Sequence, residues 1–323
     1  MSKQTVLLLG ATGGTGSSIL KGLLENREFF DTEALVQPSS ADKPTVQKLA
    51  ERGVKIRVAD IGGPLDALVK TLTGIDVLIS AIGATAQLAQ IQLATAAKEA
   101  GVKRFVPCGF ITVTPPGGVM ALRDDKEVVY QHIWKLALPY TIIDVGYWHQ
   151  ISFPTVPSGR VDYASLINPN VKIHADGNIP TMLTDLRDIG RFVSLIIRDP
   201  RTLNQFVVTY SDVLSEHEIF NLMEEMSGEN IGRKYVSADE VEASRARFGA
   251  IIRAEPNNAM ARMQSFSADY NFSKYVRGDN TPTYAAYLGY LDARELYPDF
   301  QPRRFKEFVA ELLDGKAEKL YMR

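Results

Sequence analysis

The sequence opens with Val6-Leu7-Leu8-Leu9-Gly10-Ala11-Thr12-Gly13-Gly14-Thr15-Gly16, a short apolar run followed directly by a glycine-rich loop. A continuous apolar run of this length is typical of a strand covered on both faces of a parallel sheet. A helix is predicted over residues 17–25, and one of its faces is apolar: Ile19, Leu20, Leu23 and Leu24. Strand, glycine turn and helix in this order predict the first unit of a dinucleotide-binding sheet.

The spacing of the glycines assigns each a separate task. Gly10 permits the tight turn, Gly13 lets the backbone approach a pyrophosphate, and Gly16 lets the helix pack closely on the strand. The N-terminus of the helix offers free N–H groups to phosphate oxygens. A turn without a ligand is the alternative, but the strand–turn–helix context favours a cofactor. The predicted contacts are Gly10, Thr12, Gly13, Gly14, Thr15 and Gly16.

Strands and helices alternate through the first half of the chain. Strands are predicted at residues 34–36, 54–60, 76–81, 105–106 and 140–145, and helices lie between most of them. This alternation predicts an α/β fold, a Rossmann-type doubly wound parallel sheet. After Gly146 the pattern becomes irregular, and a capping box at Ser215 and Glu218 predicts a later helix. We therefore predict a Rossmann domain over residues 1–150, with residues 184–200 packing back on it, and a smaller, mostly helical substrate domain from residues 151–183 and 201–323.

The composition of the 323 residues excludes several classes of protein. A net charge of −2 argues against a broadly cationic nucleic-acid surface. The single cysteine, Cys108, excludes an internal disulfide framework, and four dispersed histidines predict no metal site. The apolar run at the N-terminus is too short for a signal peptide or a membrane span. We expect a cytoplasmic protein that binds neither membrane nor nucleic acid.

The end of the second predicted strand bears on the choice of cofactor. NAD sites place an acidic residue there to hold the ribose 2′-hydroxyl, and this chain has none. Gln37 and Ser39 can donate hydrogen bonds to a 2′-phosphate, and Lys43 can supply charge. We therefore expect NADPH. A Lys43 that is only solvated is the alternative.

The carboxyl ends of the other strands predict further cofactor contacts. Asp60 and Ile61 are expected beside the adenine. Ala81, Ile82 and Gly83 are expected under the ribose. Cys108 and Phe110 are expected near the nicotinamide. For each of these residues alone, ordinary loop packing is an equal alternative.

Lys126 is the candidate acid/base. It lies in the first turn of a helix predicted from residue 123 to about 137, where a cation opposes the helix dipole. It also shares a face with Val129 and Ile133, which are expected to point inward. Such local misfits often mark functional sites, and burial would lower the pKa of the amine. A lysine that only covers apolar surface is the alternative.

A group of bulky side chains predicts the substrate wall, with core packing as the alternative: Phe110, Met120, Tyr147, Trp148 and Phe153. Tyr147 or His149 could join Lys126 in a proton chain, although an imidazole without chemistry is the alternative for His149. Tyr270 and Lys274 have the Tyr-x-x-x-Lys spacing of the short-chain dehydrogenase pair. They lie far beyond the fifth strand, so we interpret this match as coincidence.

Several segments of the chain together resemble the isoflavone reductase-like group of atypical short-chain dehydrogenases. That group includes phenylcoumaran benzylic ether reductases and NmrA-like proteins. Similar segments lie at residues 6–16, 76–80, 96–107, 138–141 and 295–298. The catalytic lysine of that family stands thirteen residues before a proline, which corresponds here to Lys126 and Pro139. The resemblance implies an NADPH-dependent reductase of secondary metabolism, monomeric or homodimeric. It would transfer hydride to an aromatic or conjugated small molecule, with Lys126 as general acid/base.

The chain departs from the family around the predicted pocket. The family's serine and glutamate after the fifth strand are Cys108 and Gly109 here, and its arginine after the second strand is Gln37. The identity of the substrate therefore cannot be transferred. Two other functions stay open: a non-catalytic NADP(H)-sensing regulator that binds a protein partner, and a non-redox isomerase that uses the same pocket.

Overall fold

A computed structural model describes residues 3–255 and 257–320, so the outermost residues of both predicted domains lie outside it. Five parallel strands form the central sheet: β1 (Gln4–Leu9), β2 (Phe30–Val36), β3 (Lys55–Val58), β4 (Val77–Ser80) and β5 (Arg104–Val106). Their order is β3-β2-β1-β4-β5. The chain reverses its direction of winding at β1, which is the switch point where ligands bind in such sheets.

Both faces of this sheet are covered by helices. Because side chains alternate along a strand, Val6 and Leu8 enter one core and Leu7 and Leu9 enter the other. Helices α1 (Gly14–Glu25) and α2 (Pro44–Glu51) contribute to the first core. Helices α3 (Leu65–Leu72), α4 (Gln90–Glu99) and α5 (Ala121–Lys135) contribute to the second. The predicted doubly wound α/β fold is confirmed.

Helix α6 (Leu186–Ile196) packs on α1 at very short range. A Cβ atom on Gly190 would lie 1.8 Å from the carbonyl oxygen of Ser18, and one on Gly22 would lie 2.2 Å from the carbonyl oxygen of Gly190. The Gly190 N–H donates to Ser18 Oγ at 3.0 Å. Only glycine permits this approach, which places α6 on the Rossmann sheet.

The second half of the chain supplies further short strands: β6 (Thr141–Asp144), β7 (Tyr147–Trp148), β8 (Lys172–His174), β9 (Thr181–Thr184), β10 (Gln205–Val208), β11 (Asp212–Leu214), β12 (Lys234–Val236) and β13 (Leu291–Asp292). A parallel bridge from Phe105 to Tyr140 links β5 to the segment before β6. β6, β10 and β13 then continue in parallel. Residues 201–323, which we assigned to the smaller domain, therefore contribute two strands to the central layer.

The smaller layer combines two short sheets with helices. One sheet has the order β11-β9-β7, and the other pairs β12 with β8. The helices are α7 (Glu216–Ser227), α8 (Ala238–Ala254), α9 (Ala259–Asn271), α10 (Pro282–Tyr287), α11 (Ala293–Leu296) and α12 (Phe305–Leu313), and a π-helical segment, Phe272–Arg277, continues α9. The predicted capping box of Ser215 and Glu218 begins α7. Among the described residues, no helix is both long and apolar enough to cross a membrane.

Candidate active site

A cavity of about 390 Å³ lies at the carboxyl ends of the central strands, as the switch-point rule predicts. Its Rossmann side is formed by the glycine loop, the segment after β4, the segment after β5 and the first turns of α5. Its other side is formed by β7 and α9, with the aromatic residues Tyr147, Trp148, Phe266 and Tyr270. Of the predicted site residues, eleven line this cavity: Gly13, Gly14, Thr15, Ala81, Ile82, Gly83, Cys108, Phe110, Lys126, Tyr147 and Trp148.

The glycine loop makes the tight turn that a diphosphate-binding loop requires, because side chains at two of its glycines would collide with backbone atoms. A Cβ atom on Gly16 would lie 2.0 Å from the carbonyl oxygen of Gly10, and one on Gly10 would lie 2.4 Å from that of Ala81. Gly10 also has a φ of +85°, a conformation that favours glycine. Gly13 caps α1 without a side-chain hydrogen bond, and Gly13, Gly14 and Thr15 line the cavity, so the N-terminus of α1 borders it.

The predicted contacts for the adenosine half lie outside this cavity. Gln37 is half-buried, and Ser39, Lys43 and Asp60 are exposed, at the carboxyl ends of β2 and β3. Asp60 accepts a hydrogen bond from the Gly62 N–H at 2.9 Å, which closes a turn. Ile61 is buried in the core on the α3 side. These positions border the end of the glycine loop away from Lys126, and their roles toward a cofactor stay predictions.

Lys126 is only 2 % exposed, together with the inward-facing Val129 and Ile133 of α5. Its Nζ donates to Gln87 Oε1 at 3.0 Å and to the carbonyl oxygen of Cys108. A third, weak contact joins Nζ to Cys108 Sγ at 3.9 Å. Burial lowers the pKa of Lys126, and the contact with Cys108 and the carboxylate of Asp144 oppose that shift. The amine is thus held in place at the cavity wall and is able to exchange a proton.

Two buried glutamines hold this arrangement. Gln87 Nε2 donates to the carbonyl oxygen of Gly83 at 3.0 Å, so Gln87 Oε1 faces the amine of Lys126. Gln90 Nε2 donates to Gln87 Oε1 at 3.1 Å, and Gln90 Oε1 accepts from the Cys108 N–H at 2.7 Å. Lys126, the segment after β4 and the segment after β5 therefore form one hydrogen-bonded unit.

A buried polar cluster lies behind Lys126. Asp144, at the end of β6, accepts a hydrogen bond from the Tyr290 hydroxyl at 2.6 Å. Burial raises the pKa of Asp144, while the charges of Arg123 and Lys126 lower it. Arg123 donates to Glu127 at 2.8 Å and lies 5.1 Å from the Tyr130 ring centroid. Asp144 and Arg123 therefore act on the pKa of Lys126 in opposite directions.

Three of the predicted catalytic and substrate-wall residues do not line the cavity: His149, Met120 and Phe153. His149 is buried, and its Nε2 lies 2.9 Å from Ser211 Oγ, with the rings of Phe305 and Phe308 against it. Burial lowers the pKa of His149 to about 4, so it is a neutral core residue at pH 7. Met120 packs behind the cavity wall, and Phe153 belongs to the core around α7 and α12. Tertiary packing encloses the His149 ring, so the structure does not bring it to the cavity that Lys126 lines.

Sequence reasoning missed several residues of the cavity. Gln87 and Gln90 carried only a weak local signal, since they are polar and three residues apart but Thr85 and Gln92 stand in the same segment. Phe266 carried none, because α9 approaches the sheet only in the folded chain. Tyr270 and Lys274 have the spacing that we interpreted as coincidence, and both contact the Tyr147 ring. Tyr270 lines this cavity, whereas Lys274 lines an adjoining one.

Comparison with known proteins identifies the family. The model of the NmrA-like family matches residues 2–309. The chain belongs to the NmrA-like family. This NmrA-like protein is 42 % identical over 312 residues to the asnovolin J 5′,6′-dehydrogenase of Aspergillus novofumigatus, covering 96 % of this chain and 95 % of that one. It is 26 % identical over 330 residues to a phenylcoumaran benzylic ether reductase of Nicotiana tabacum, covering 96 % and 99 %.

Solved structures share the fold of this NmrA-like protein. A leucoanthocyanidin reductase of Vitis vinifera, solved as a binary complex with NADPH, superimposes with a TM-score of 0.80 at 24 % identity, covering 96 % of this chain and 99 % of that one. An isoflavone reductase superimposes with a TM-score of 0.78 at 23 % identity, with the same coverage. The resemblance stated from the sequence motifs is confirmed.

Proposed function

We propose that this protein is an NADPH-dependent oxidoreductase of secondary metabolism that reduces an aromatic or conjugated small molecule, with Lys126 as general acid. The observation that carries the proposal is the position of Lys126. A buried amine, held by Gln87 and the Cys108 carbonyl, stands in the wall of an aromatic-lined cavity next to the glycine loop. A lysine is costly to bury, and function is the common reason for retaining one.

The cofactor assignment is supported by the loop and by the relatives. Gly13, Gly14 and Thr15 would hold the diphosphate, and Ala81 to Gly83 would pass beneath the ribose. Gln37, Ser39 and Lys43 would meet the 2′-phosphate. NADPH, when bound, supplies a hydride to an electrophilic carbon. The structurally similar leucoanthocyanidin reductase was solved with this cofactor.

Lys126 would complete the reduction by supplying a proton. An ammonium group has three N–H donors, and two of them are taken by Gln87 and by the Cys108 carbonyl. The third makes only the weak contact with Cys108 Sγ, so a substrate oxygen in the cavity can replace it. As negative charge develops on that oxygen, Lys126 donates its proton and returns to the neutral amine, which its burial favours.

The reverse reaction is the second candidate. The 42 %-identical relative is named a dehydrogenase, which favours oxidation of a saturated carbon pair with NADP+ as the acceptor. The same residues would serve: neutral Lys126 would remove a proton from the substrate, and Phe110, Tyr147 and Trp148 would line the cavity around it. The hydride would pass from the substrate to NADP+, and the proton would pass from the substrate to Lys126, so both transfers would be reversed.

The experiment follows NADPH oxidation and NADP+ reduction with a panel of conjugated ketones, quinones, benzylic ethers and their saturated forms. Turnover that is lost in Lys126→Met and kept in Lys135→Met, an exposed position of the same helix, supports the proposal. NADPH binding without turnover on the whole panel, together with a stable protein partner, would favour a sensing regulator. Product formation with no change in NADPH would favour an isomerase.

A further inference from the structure

A second, smaller cavity of about 160 Å³ adjoins the candidate active site. Tyr147 and Ile151 line both cavities, so the two cavities meet at these side chains. Complete small-molecule sites usually have about 300–1,000 Å³, so this recess is too small for a whole ligand of that kind. It has room for one functional group at the end of a molecule that extends from the larger cavity.

Lys274 lines this recess and is 1 % exposed. Its Nζ donates to the Tyr275 hydroxyl at 3.1 Å and lies 3.1 Å from the centroid of the Tyr147 ring. Among the described residues no carboxylate lies within ion-pair distance of it. A buried ammonium group with one hydrogen bond and two aromatic contacts has too few acceptors to offset the free energy of its desolvation.

The charges around Lys274 leave it available to a ligand. Glu216 is the charged group that acts on it, and that carboxylate is used by His174, whose Nδ1 lies 2.8 Å from Oε1 and whose backbone N–H donates to Oε2. The other ring nitrogen of His174 meets Asn271 Nδ2 at 3.0 Å. Lys172 stands exposed at the rim of the recess. Burial lowers the pKa of Lys274 to about 7, so it is protonated in mildly acidic solution.

We propose that this recess binds a carboxylate at the end of the substrate remote from the reacting carbon, with Lys274 as its hydrogen-bond donor and counter-ion. The inference rests on the proposed function, because it places the reacting end of the same molecule at Lys126. It defines the substrate class as an aromatic or conjugated acid with a spacer between the two ends. The carboxylate in the recess does not react, and Lys274 only binds it.

The test measures binding by titration calorimetry at pH 6, using the protein saturated with NADP+. The probes are ω-phenylalkanoates of increasing chain length and their methyl esters. At the length that reaches Lys274, the acid is expected to bind roughly 10- to 100-fold more tightly than its ester, as befits a charge-assisted hydrogen bond. Lys274→Met should abolish this preference, and Lys274→Arg should retain part of it. The rim variant Lys172→Met should keep it within about twofold.

Three results would overturn the inference. The first is equal affinity for acid and ester at every chain length. The second is an unchanged acid preference in a Lys274→Met variant whose melting temperature equals that of the parent protein, and the third is loss of the preference in Lys126→Met instead. The last result would place the carboxylate in the larger cavity. The two proposals fail separately. Ketone reduction without any acid preference overturns this inference alone, whereas a Lys274-dependent preference without hydride transfer overturns the proposed function alone.

Discussion

Replacing Lys126 by methionine is expected to lower turnover by about 10²- to 10⁴-fold while NADPH still binds. The loss corresponds to about 3–5 kcal/mol of transition-state stabilisation, the contribution of a positioned proton donor. Methionine nearly fills the volume of the lysine stem, but it cannot donate to Gln87, to the Cys108 carbonyl or to a substrate oxygen. The assay is single-turnover NADPH oxidation with a reducible panel compound, together with calorimetric titration of NADPH.

Unfolding should not account for this loss. The variant forfeits two hydrogen bonds from a charged donor, each worth about 1.5–3 kcal/mol, but it no longer buries an ammonium group, which costs several kcal/mol. The free energy of unfolding should therefore change by no more than about 2 kcal/mol. Gln87 Oε1 also keeps the hydrogen bond from Gln90 at 3.1 Å.

The pH profile provides an independent readout. Burial holds the pKa of Lys126 below its usual value, and the proton donor is the form that exists below this pKa. The reduction rate should therefore fall as the pH rises through the lowered pKa, and Lys126→Met should lack this limb. Lys135→Met, in the last turn of the same helix, should match the parent protein in rate and profile. A wild-type rate in Lys126→Met would refute the assignment.

Three further predictions concern the glycine loop, the buried histidine and the choice of cofactor. Gly16→Ala should destabilise the protein by about 1–3 kcal/mol and abolish NADPH binding, because the added Cβ atom would lie 2.0 Å from a carbonyl oxygen. Gly14→Ala is the control: its Cβ atom would lie 3.8 Å from Leu186, so this variant should unfold in urea like the parent protein. The pKa of His149 is about 4 in the folded protein and about 6.5 in the unfolded chain. Between these two pH values only the unfolded chain binds a proton on His149, so acidification lowers the free energy of unfolding by roughly 3 kcal/mol. His149→Gln should lose this acid sensitivity in urea titrations and keep its turnover, and a loss of turnover like that of Lys126→Met would contradict its placement in the core. Lys43→Met should weaken NADPH binding by about 2- to 5-fold without changing NADH binding, and equal effects on both would remove Lys43 from the 2′-phosphate site.

Much of the fold was predictable because its signals are local. The glycine spacing, the apolar β1 and the alternation of strands with helices each depend on neighbours within about 30 residues. Lys126 was identifiable in the same way, since its register with Val129 and Ile133 is a property of one helix. The predicted place in the first turn was wrong, because α5 begins at Ala121 and Lys126 lies in its second turn. Its burial agrees with that register.

The residues that were misplaced or missed depend on contacts across the chain. His149 directly follows Tyr147 and Trp148, yet Ser211, Phe305 and Phe308 enclose its ring, and they lie at least sixty residues away. Sequence proximity to a lining residue therefore did not predict exposure to the cavity. In β-strands and the turns after them, small differences in backbone direction decide which side chains face a cavity.

The amino-acid sequence by itself determined the nucleotide-binding half of this protein, because strand, turn and helix are specified by residues next to one another. Only the tertiary structure decided what stands opposite Lys126. The aromatic wall and the Lys274 recess are built from β7, α9 and the π-helical segment after it, and more than a hundred residues separate β7 from α9 in the chain. Such contacts depend on the fit between surfaces that are distant in the sequence, and a local pattern of residues does not predict them.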